Sequence, residues 1–184
     1  MSILEDCFYG KILFENGLIL YSFTKNSRIQ KLVHGLKYYG RVDVGRHLGR
    51  ALGHSIKLHF DKDMPEYIIP VPLHDKRKRK RGYNQSYILA LGISDMINVP
   101  IDTISLIRKK NTSTQTQKSA NERMENVNQA FSLVEANHLI GKHVLLIDDI
   151  LTTGSTINAC VDALLKVSDI KLSLAFVAHS GEYF

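Results

Sequence analysis

A single unbroken string in the second half of the chain limits the fold more than any other feature of the sequence. Residues 144–156 read VLLIDDILTTGST: four apolar residues, two adjacent aspartates, two apolar spacers and a turn rich in hydroxyl groups. Four consecutive apolar residues are typical of a central parallel strand that is covered on both faces. Apolar residues at helical spacing follow the string, so the pattern predicts a buried strand ending at Ile147, then a polar loop, then a helix.

The two halves of this string suit two groups of one ligand. Asp148 and Asp149 place hydrogen-bond acceptors side by side, as the neighbouring hydroxyls of a ribose require. Hydroxyl groups, a glycine and the unpaired N–H groups of a helix start then predict a phosphate site, formed by Thr152, Thr153, Gly154, Ser155 and Thr156. Two alternatives remain at this point. The aspartates alone would bind a metal ion in a phosphatase-like site, and the turn would only cap the helix.

The rest of the chain alternates predicted strands with predicted helices. Strands are predicted at residues 67–69, 104–107, 144–147 and 172–177, and helices near residues 27, 43, 85 and 157. This alternation predicts an α/β fold with a mostly parallel central sheet flanked by helices. The 184 residues are expected to form one domain, with an N-terminal region at about residues 1–27 and a core over about 28–184. In such sheets, ligands bind beyond the carboxyl ends of the strands.

A second loop follows an earlier predicted strand and adjoins a run of cations. Residues 70–73 read PVPL, where the prolines should end sheet pairing, and residues 76–81 read KRKRKR. Net charge is +6, so the six cations of this run account for the whole excess. A stiff turn can present backbone N–H groups to a diphosphate, whose charge Arg81 is predicted to neutralise.

Two alternatives apply to the basic run. A run of like charges is typical of a solvated loop. The run would also suit a nucleic-acid backbone, with an aromatic side chain available to stack on a base. The residues of this nucleic-acid interpretation are Lys76, Arg77, Lys78, Arg79, Lys80 and Tyr83.

Cysteine spacing and hydropathy exclude several other classes of protein. Cys7 and Cys160 are far apart, and neither has a partner at zinc-ligand or redox-motif spacing, so we expect no disulfide framework and no zinc. The apolar stretch near the start is too short and too polar to span a bilayer, and Glu5 and Asp6 are unlike a signal peptide. We therefore expect a cytoplasmic protein without membrane insertion.

Further motifs occur in order around the two loops. They are LKYYG at residues 36–40, PVPL at 70–73, RGYNQ at 81–85 and DDILTTGST at 148–156, and between the last two come Arg108, Thr112, Gln115, Arg123, Asn126 and Phe131. The last motif resembles the phosphoribosyl pyrophosphate (PRPP) motif of type I phosphoribosyltransferases. Over about residues 28–180, the whole set resembles the ComF family, an amidophosphoribosyltransferase-like branch of that fold associated with DNA uptake in natural competence.

The resemblance implies a role for each matched residue. Asp148 and Asp149 would bind the ribose hydroxyls, residues 152–156 the 5′-phosphate, and Val71, Pro72 and Leu73 the pyrophosphate. The polar stretch that contains Arg108, Thr112, Gln115 and Arg123 resembles the flexible loop that closes over the site in this fold. The resemblance also implies a small irregular hood over the sheet. Lys37 lies either in the same cleft or on the surface of its helix.

The resemblance has consequences for metals as well. Mg²⁺ would arrive on the diphosphate of PRPP and take most of its ligands from water and from that molecule, with Asp148 and Asp149 as further candidates. Members of the family commonly begin with a four-cysteine zinc module, which has no counterpart in this sequence. No zinc is therefore expected.

Two functions remain as hypotheses. The first is a pentosyltransferase that moves phosphoribose to a nitrogen acceptor and releases pyrophosphate, mainly by electrostatic stabilisation of the leaving group. No residue is assigned as a catalytic acid or base. The alternative is a non-catalytic PRPP sensor, or a competence factor that binds single-stranded DNA and DNA-processing proteins. A homodimer is included among the expected partners.

Overall fold

The computed structural model describes residues 4, 8, 13–22, 24, 27–108 and 130–180. Strands and helices alternate along most of this part of the chain, as the sequence predicts. In chain order the elements are β1 (Gly17–Ser22), α1 (Arg28–Tyr38), α2 (Val42–His59), β2 (Tyr67–Pro70), α3 (Asp75–Arg81), α4 (Gln85–Ile97), β3 (Leu106–Arg108), β4 (Phe131–Leu133), a short 3-10 helix (Asn137–Leu139), β5 (His143–Leu151), α5 (Ser155–Leu164) and β6 (Lys171–His179).

The main sheet has four strands in the order β1-β6-β5-β2, and all neighbouring strands are parallel. The antiparallel hairpin β3–β4 forms a second, two-stranded sheet. Because the strands of the main sheet are parallel, their carboxyl ends meet at one edge, and the loops that follow β2 and β5 are neighbours there. The predicted α/β fold with a parallel central sheet is confirmed.

Side chains of the central strand β5 alternate between two hydrophobic cores, one on each face of the sheet. Val144 and Leu146 join a core that contains α5, whereas Leu145 and Ile147 join a core that contains α2 and α4. All four are completely buried. The faces of the sheet are therefore filled by packing, and only the strand ends are left for a ligand.

Helices α2 and α4 pack with their backbones in direct contact. A Cβ atom at Gly49 would lie 2.2 Å from the carbonyl oxygen of Leu89, and one at Gly92 would lie 2.2 Å from that of Arg46. No side chain fits at either position, so the two helices form one rigid layer behind the sheet. Arg46 also forms a two-pronged ion pair with Asp95 across the same contact.

The strand β5 is longer than predicted. It continues to Leu151 instead of ending at Ile147, because Asp148 pairs with Phe176 and Leu151 with His179 on β6. The apolar run of the sequence stops at Ile147, but the pairing depends on the backbone of β6, which the run does not reveal. Both aspartates therefore lie in the last part of a strand and not in a loop.

Strand β2 and strand β3 are also shifted. Pro70 is part of β2, opposite Ile147, and the pairing ends only after Val71 N–H donates to the Ile147 carbonyl at 3.0 Å. Pro70 is the last residue of β2, so the strand ends at the prolines as predicted, one residue beyond the predicted range of 67–69. The strand predicted at residues 104–107 is observed as Leu106–Arg108.

The basic run is a helix, not a loop. The side chain of His74 accepts a hydrogen bond from Lys76 N–H at the start of α3, and Gly82, in the left-handed conformation with φ 84°, closes it. Lysine and arginine are good helix formers, and cations near the carboxyl end of a helix interact favourably with its dipole. No residue of α3 is buried. In the described part of the chain, no helix is both long and apolar enough to cross a membrane.

Candidate functional site

A cavity of about 180 Å³ opens where the carboxyl ends of β2 and β5 meet. It brings together residues that the sequence assigns to the sugar, the diphosphate and the covering loop of one ligand. The predicted residues in its wall are Val71, Pro72, Leu73, Arg77, Arg81, Arg108, Asp148, Asp149 and Thr156. The cavity therefore joins the two loops that the sequence singles out.

A larger cavity, of about 490 Å³, lies on the other side of residues 70–73, against α4 and β3. It shares Pro72, Leu73, Asn84 and Arg108 with the smaller cavity, but neither aspartate lines it. Size alone would favour this larger space. We assign the candidate site to the smaller cavity because it contains the carboxylates and most of the cations.

Asp148 is held in place by two hydrogen bonds to one carboxylate oxygen. Ser86 Oγ donates to Asp148 Oδ1 at 2.8 Å, and the Asp149 N–H donates to the same atom at 2.9 Å. Burial, and then the neighbouring charge of Asp149, raise the pKa of Asp148 to about 7, although both hydrogen bonds and Lys37 oppose this. This carboxyl group therefore changes charge near neutral pH.

Asp149 forms an ion pair with a cation from the first helix. Lys37 Nζ of α1 lies 2.9 Å from Asp149 Oδ2. Both side chains are largely buried, with 20% and 9% of their surfaces exposed. The contact is a close ion pair, and among the described residues the buried Oδ2 atom accepts no hydrogen bond. Lys37 thus belongs to the cleft rather than to the surface of α1, which decides between the two interpretations of the sequence.

The loop after β2 is fixed by the first turn of α4. Asn84 caps α4 by accepting a hydrogen bond from Ser86 N–H, and its Nδ2 donates to the Val71 carbonyl at 2.9 Å. Val71 N–H is already used by Ile147, and Pro72 has no N–H. Neither residue therefore has an N–H group to offer a diphosphate, and the predicted role of residues 71–73 stays a prediction. Of the three predicted residues, Leu73 alone retains an N–H group for this role.

The hydroxyl-rich turn lies partly inside and partly outside the cavity. Thr156 contributes to the cavity wall, whereas residues 152–155 do not. Thr152, Thr153 and Ser155 are exposed, and Thr153 Oγ1 lies 3.0 Å from Ser155 Oγ. These hydroxyls stand directly before α5, whose first N–H groups have no partner within the helix.

Gly154 is the one buried residue of this turn. Its φ is 73°, a left-handed conformation that favours glycine, and a Cβ atom there would lie 2.9 Å from the ring of Phe8. The turn therefore rests on an aromatic side chain of the N-terminal region. This packing fixes the backbone on which the hydroxyl groups stand.

The cations of the basic helix α3 fall into two groups, and one of these groups lines the cavity. Arg77 and Arg81, four residues apart and so on one face of the helix, contribute to the wall of the 180 Å³ cavity. The guanidinium of Arg81 lies 5.5 Å from the centre of the Tyr38 ring. Lys76, Lys78, Arg79 and Lys80 are exposed and do not line this cavity. The sequence predicts Arg77 as a nucleic-acid contact, and the structure places it in the wall of this cavity.

Arg108 stands at the edge of the hairpin and not in a loop. It is the last residue of β3, and its guanidinium lies 5.2 Å from the centre of the Phe131 ring on β4. Burial lowers the pKa of Arg108, and the nearby charge of Arg77 acts in the same direction. Thr112, Gln115 and Arg123, the other residues predicted for the flexible loop, lie outside the described residues.

Comparison with known proteins now decides the family. A family model described as the phosphoribosyl transferase domain matches residues 80–182, more than half of the chain. The chain belongs to the phosphoribosyl transferase domain family. The match includes Arg81, Arg108, both aspartates and the hydroxyl-rich turn.

Relatives place the phosphoribosyl transferase domain in the predicted branch. Competence protein F of Haemophilus influenzae is 36% identical over 140 residues, which cover 74% of this chain and 61% of that protein. Competence protein ComFC of Bacillus subtilis is 25% identical over 172 residues, which cover 90% and 67%. The resemblance to the ComF family is confirmed. The chain spans about three fifths of the length of the first of these relatives.

A solved structure agrees with this fold. Adenine phosphoribosyltransferase from Saccharomyces cerevisiae superposes with a TM-score of 0.50 at 14% sequence identity, covering 77% of this chain and 71% of the other. At this level of identity the likeness establishes the type I fold. It does not extend to the substrate.

Sequence reasoning misses several residues that shape the site of this phosphoribosyl transferase domain. Ser86 and Asn84 are not singled out, because a Ser or Asn at a helix start usually indicates a cap. The sequence suggests Tyr83 only as a stacking platform, but its hydroxyl donates to the Leu36 carbonyl and ties α1 to the start of α4. The RGYNQ motif at residues 81–85 is the available signal, since three of its residues make long-range contacts.

Proposed function

We propose that this protein binds PRPP together with Mg²⁺ and transfers its phosphoribosyl group to a nitrogen acceptor. The observation that supports this most is the 180 Å³ cavity, which combines two adjacent carboxylates with three arginines and a hydroxyl at a helix start. Carboxylates suit a sugar diol, and arginines suit phosphate oxygens. A ligand that carries a diol between two phosphate groups uses all of them at once.

Each part of the ligand has a proposed partner. Asp148 and Asp149 accept hydrogen bonds from the ribose hydroxyls, and residues 152–156 donate to the 5′-phosphate from hydroxyl and N–H groups. Arg77, Arg81 and the N–H of Leu73 face the diphosphate. Arg108, the last residue of β3, adds a further positive charge near Arg77.

The oxygen donors also fit a divalent cation. Mg²⁺ prefers carboxylate and phosphate oxygens, and Asp149 Oδ2 is a buried oxygen without a hydrogen bond from the described residues. Lys37 Nζ, 2.9 Å from this atom, would have to move aside for a cation there. Bound on the diphosphate, Mg²⁺ would neutralise part of the charge that develops on pyrophosphate. Asp148 and Asp149 are the residues that would hold it from the protein side.

The transfer itself needs little chemistry from the protein. A nitrogen lone pair forms the new bond to C1 of the ribose, the C1–O bond to the diphosphate breaks, and pyrophosphate leaves with the bonding electron pair. The acceptor nitrogen then releases its proton to solvent. Arg77 and Arg81 stabilise the departing charge, and this electrostatic contribution is the main catalytic effect we assign to the chain.

Calorimetry with PRPP, with and without Mg²⁺, tests the binding step. We expect wild type to bind, and Asp148→Asn/Asp149→Asn to lose affinity by at least about a hundredfold, since each hydrogen bond to a charged group is worth about 1.5–3 kcal/mol. Asp162→Asn, an exposed aspartate on α5, is the matched control and should bind as wild type does. Absence of binding by wild type with Mg²⁺, or equal binding by the double variant, would reject the proposal.

A pyrophosphate-release screen then tests transfer. Purines, pyrimidines and ammonia donors are supplied with PRPP and Mg²⁺, and wild type is compared with the double variant. We expect at least one acceptor to give release that the double variant lacks. Binding without release from any acceptor would support the non-catalytic PRPP sensor instead.

A second candidate function is binding of single-stranded DNA in competence or DNA uptake. The exposed cations of α3 support it, and so do the names of the relatives, which describe competence proteins. Neutralising residues 76–80 should weaken binding to single-stranded DNA and flatten its salt dependence, by about 0.7 in logarithmic slope for each phosphate that is no longer neutralised. A gel-shift titration at several salt concentrations measures this, and unchanged affinity would remove the DNA hypothesis.

A further inference from the structure

A second cavity, of about 410 Å³, lies between α1 and α3. Four of the six residues that line it are cations, and none is acidic. They are Lys37, Tyr38, Gly40, Arg77, Lys80 and Arg81. Its volume falls within the range of about 300–1,000 Å³ that is common for small-molecule sites.

The two walls of this cavity are joined by contacts on either side of it. The Tyr83 hydroxyl donates to the Leu36 carbonyl, which fixes the end of α1 against the start of α4. The Arg81 guanidinium over the Tyr38 ring links α1 directly to α3. These contacts hold α1 against α3 and α4, so the space between the helices exists before any ligand arrives, which reduces the ordering cost of binding.

The second cavity is continuous with the candidate site. Lys37, Tyr38, Arg77 and Arg81 line both cavities, whereas Lys80 and Gly40 line only the second. A molecule in the second cavity would therefore lie against a molecule in the first. The two substrates of a transferase must lie side by side, and the second cavity offers space beside the first.

The chemistry of the walls defines what such a molecule must carry. Lys37 is engaged by Asp149, and Arg77 and Arg81 also line the first cavity, where they face the diphosphate. Lys80 is therefore the cation that belongs to the second cavity alone, in a space without a carboxylate. A phosphate in this space would accept a hydrogen bond from Lys80 and share the positive charge of Arg77 with the diphosphate, whereas a neutral ligand would gain neither interaction. Tyr38, with 65% of its surface exposed, adds an aromatic edge for a planar group.

We propose that the second cavity binds the acceptor, and that this acceptor is a phosphate-bearing planar nitrogen compound of mononucleotide size. This inference rests on the proposed function, because the acceptor role assumes PRPP in the first cavity. The phosphate would contact Lys80 of α3 and lie near Arg77, which it would share with the diphosphate. The planar group would lie toward Tyr38 and the first cavity.

Adenosine 5′-monophosphate is a suitable probe, with adenosine as its uncharged counterpart. We expect calorimetry to show that the monophosphate binds at least about tenfold more tightly than adenosine. With PRPP and Mg²⁺ present, the monophosphate should still bind, because the two ligands occupy different cavities. Equal affinity for adenosine, or simple competition with PRPP, would overturn the proposal.

Two single substitutions on α3 test where the phosphate of the monophosphate binds. Lys80→Glu should lower affinity for the monophosphate by at least about tenfold. Lys76→Glu makes the same change of charge on α3 outside both cavities, and should change the affinity less than about twofold. Equal losses for the two variants would indicate attraction by net charge or binding of a strand along α3, and would overturn the proposal.

The outcomes also separate this inference from the proposed function. If PRPP binds and Lys80→Glu has no effect on the monophosphate, the proposed function stands and the acceptor site is wrong. If PRPP does not bind but Lys80→Glu still weakens binding of the monophosphate, the second cavity is a phosphate site, and both the proposed function and the acceptor role are wrong. Thr156→Val, which alters only the first cavity, should leave binding of the monophosphate unchanged.

Discussion

The two walls of the candidate site are built in opposite ways. On the carboxylate wall, Asp148 and Asp149 belong to a central strand, and Gly154 rests on a buried ring. On the cationic wall, Arg77 and Arg81 belong to a seven-residue helix without a buried residue. The packed wall fixes distances, as recognition of a sugar diol requires. The exposed wall supplies charge, which acts over longer distances and tolerates movement.

This contrast has an energetic side. On the carboxylate wall, burial opposes the ionisation of Asp148, so an ionised Asp148 lowers the stability of the folded protein. The cationic wall is solvated and costs the fold little. We therefore expect substitutions on the packed wall to change stability, and substitutions on the exposed wall to change mainly ligand affinity and its dependence on salt.

The largest expected effect is that of Asp148→Asn on stability above neutral pH. The folded state raises the pKa of Asp148 from 3.8 to about 7, so it retains a proton that the unfolded chain loses. Stability from this group is present below about pH 4 and is lost as pH rises toward 7. The upper limit of the loss is about 4 kcal/mol. The substituted amide carries no charge, so the variant should exceed wild type in stability at pH 8.

Urea unfolding of both proteins at pH 5 and pH 8 measures this. The difference in free energy of unfolding should widen with pH in favour of the variant, and PRPP affinity should fall at both values. A difference that does not depend on pH would contradict the raised pKa. Wild-type affinity should also decline below pH 7, as Asp148 takes up its proton, and Asp148→Asn should remove this dependence.

Next in size is Gly154→Ala, which tests how tightly the hydroxyl-rich turn is packed. A left-handed conformation costs a non-glycine residue about 1–3 kcal/mol, and the new Cβ also meets Phe8. Gly82→Ala is the matched control, because Gly82 has a similar φ of 84° with nothing within 4 Å of its Cβ position. Unfolding in urea should show a greater loss for Gly154→Ala. Equal losses would mean that the ring does not restrain the turn.

A smaller effect is expected from Arg81→Ala on the exposed wall. Loss of one charge-assisted hydrogen bond to the diphosphate should lower PRPP affinity by about tenfold, with a decrease in stability of less than about 0.5 kcal/mol. Because Arg81 is partly exposed, the difference from wild type should shrink as salt concentration rises. Calorimetry at low and high salt measures it. A stability loss as large as that of Gly154→Ala would contradict the proposed division between the walls.

The smallest effect is predicted for Lys76→Ala. Lys76 is exposed and lines neither cavity, so stability should change by less than about 0.5 kcal/mol and PRPP affinity by less than about twofold. Thermal unfolding and calorimetry on the same sample are sufficient. A tenfold loss of affinity would show that the total charge of α3 matters more than the position of each cation.

The sequence predicts the packed wall better than the exposed one. A buried strand, two carboxylates, a glycine turn and a helix are local features, and the string at residues 144–156 encodes all of them. The prediction from this string is wrong only about where the strand ends, because that depends on pairing with β6. Ser86 could not be assigned to Asp148 because that contact joins residues 62 positions apart.

The arrangement of the exposed wall depends on contacts between segments that are far apart in the sequence. The KRKRKR run resembles a solvated loop, and its helical state is needed before Arg77 can be distinguished from Lys76. The ion pair of Lys37 with Asp149 and the stacking of Arg81 on Tyr38 both require the position of α1 over the sheet. Periodicity identifies α1 as a helix but does not say which loop it covers.

The glycine contact between α2 and α4 carries a consequence for remote mutations. Asn84 and Ser86, which hold the turn after β2 and the Asp148 carboxylate, both belong to the start of α4. A methyl group at Gly49 or Gly92 would wedge the two helices apart and displace this anchor from behind. A substitution at this contact would then weaken ligand binding, although neither glycine lines the cavity.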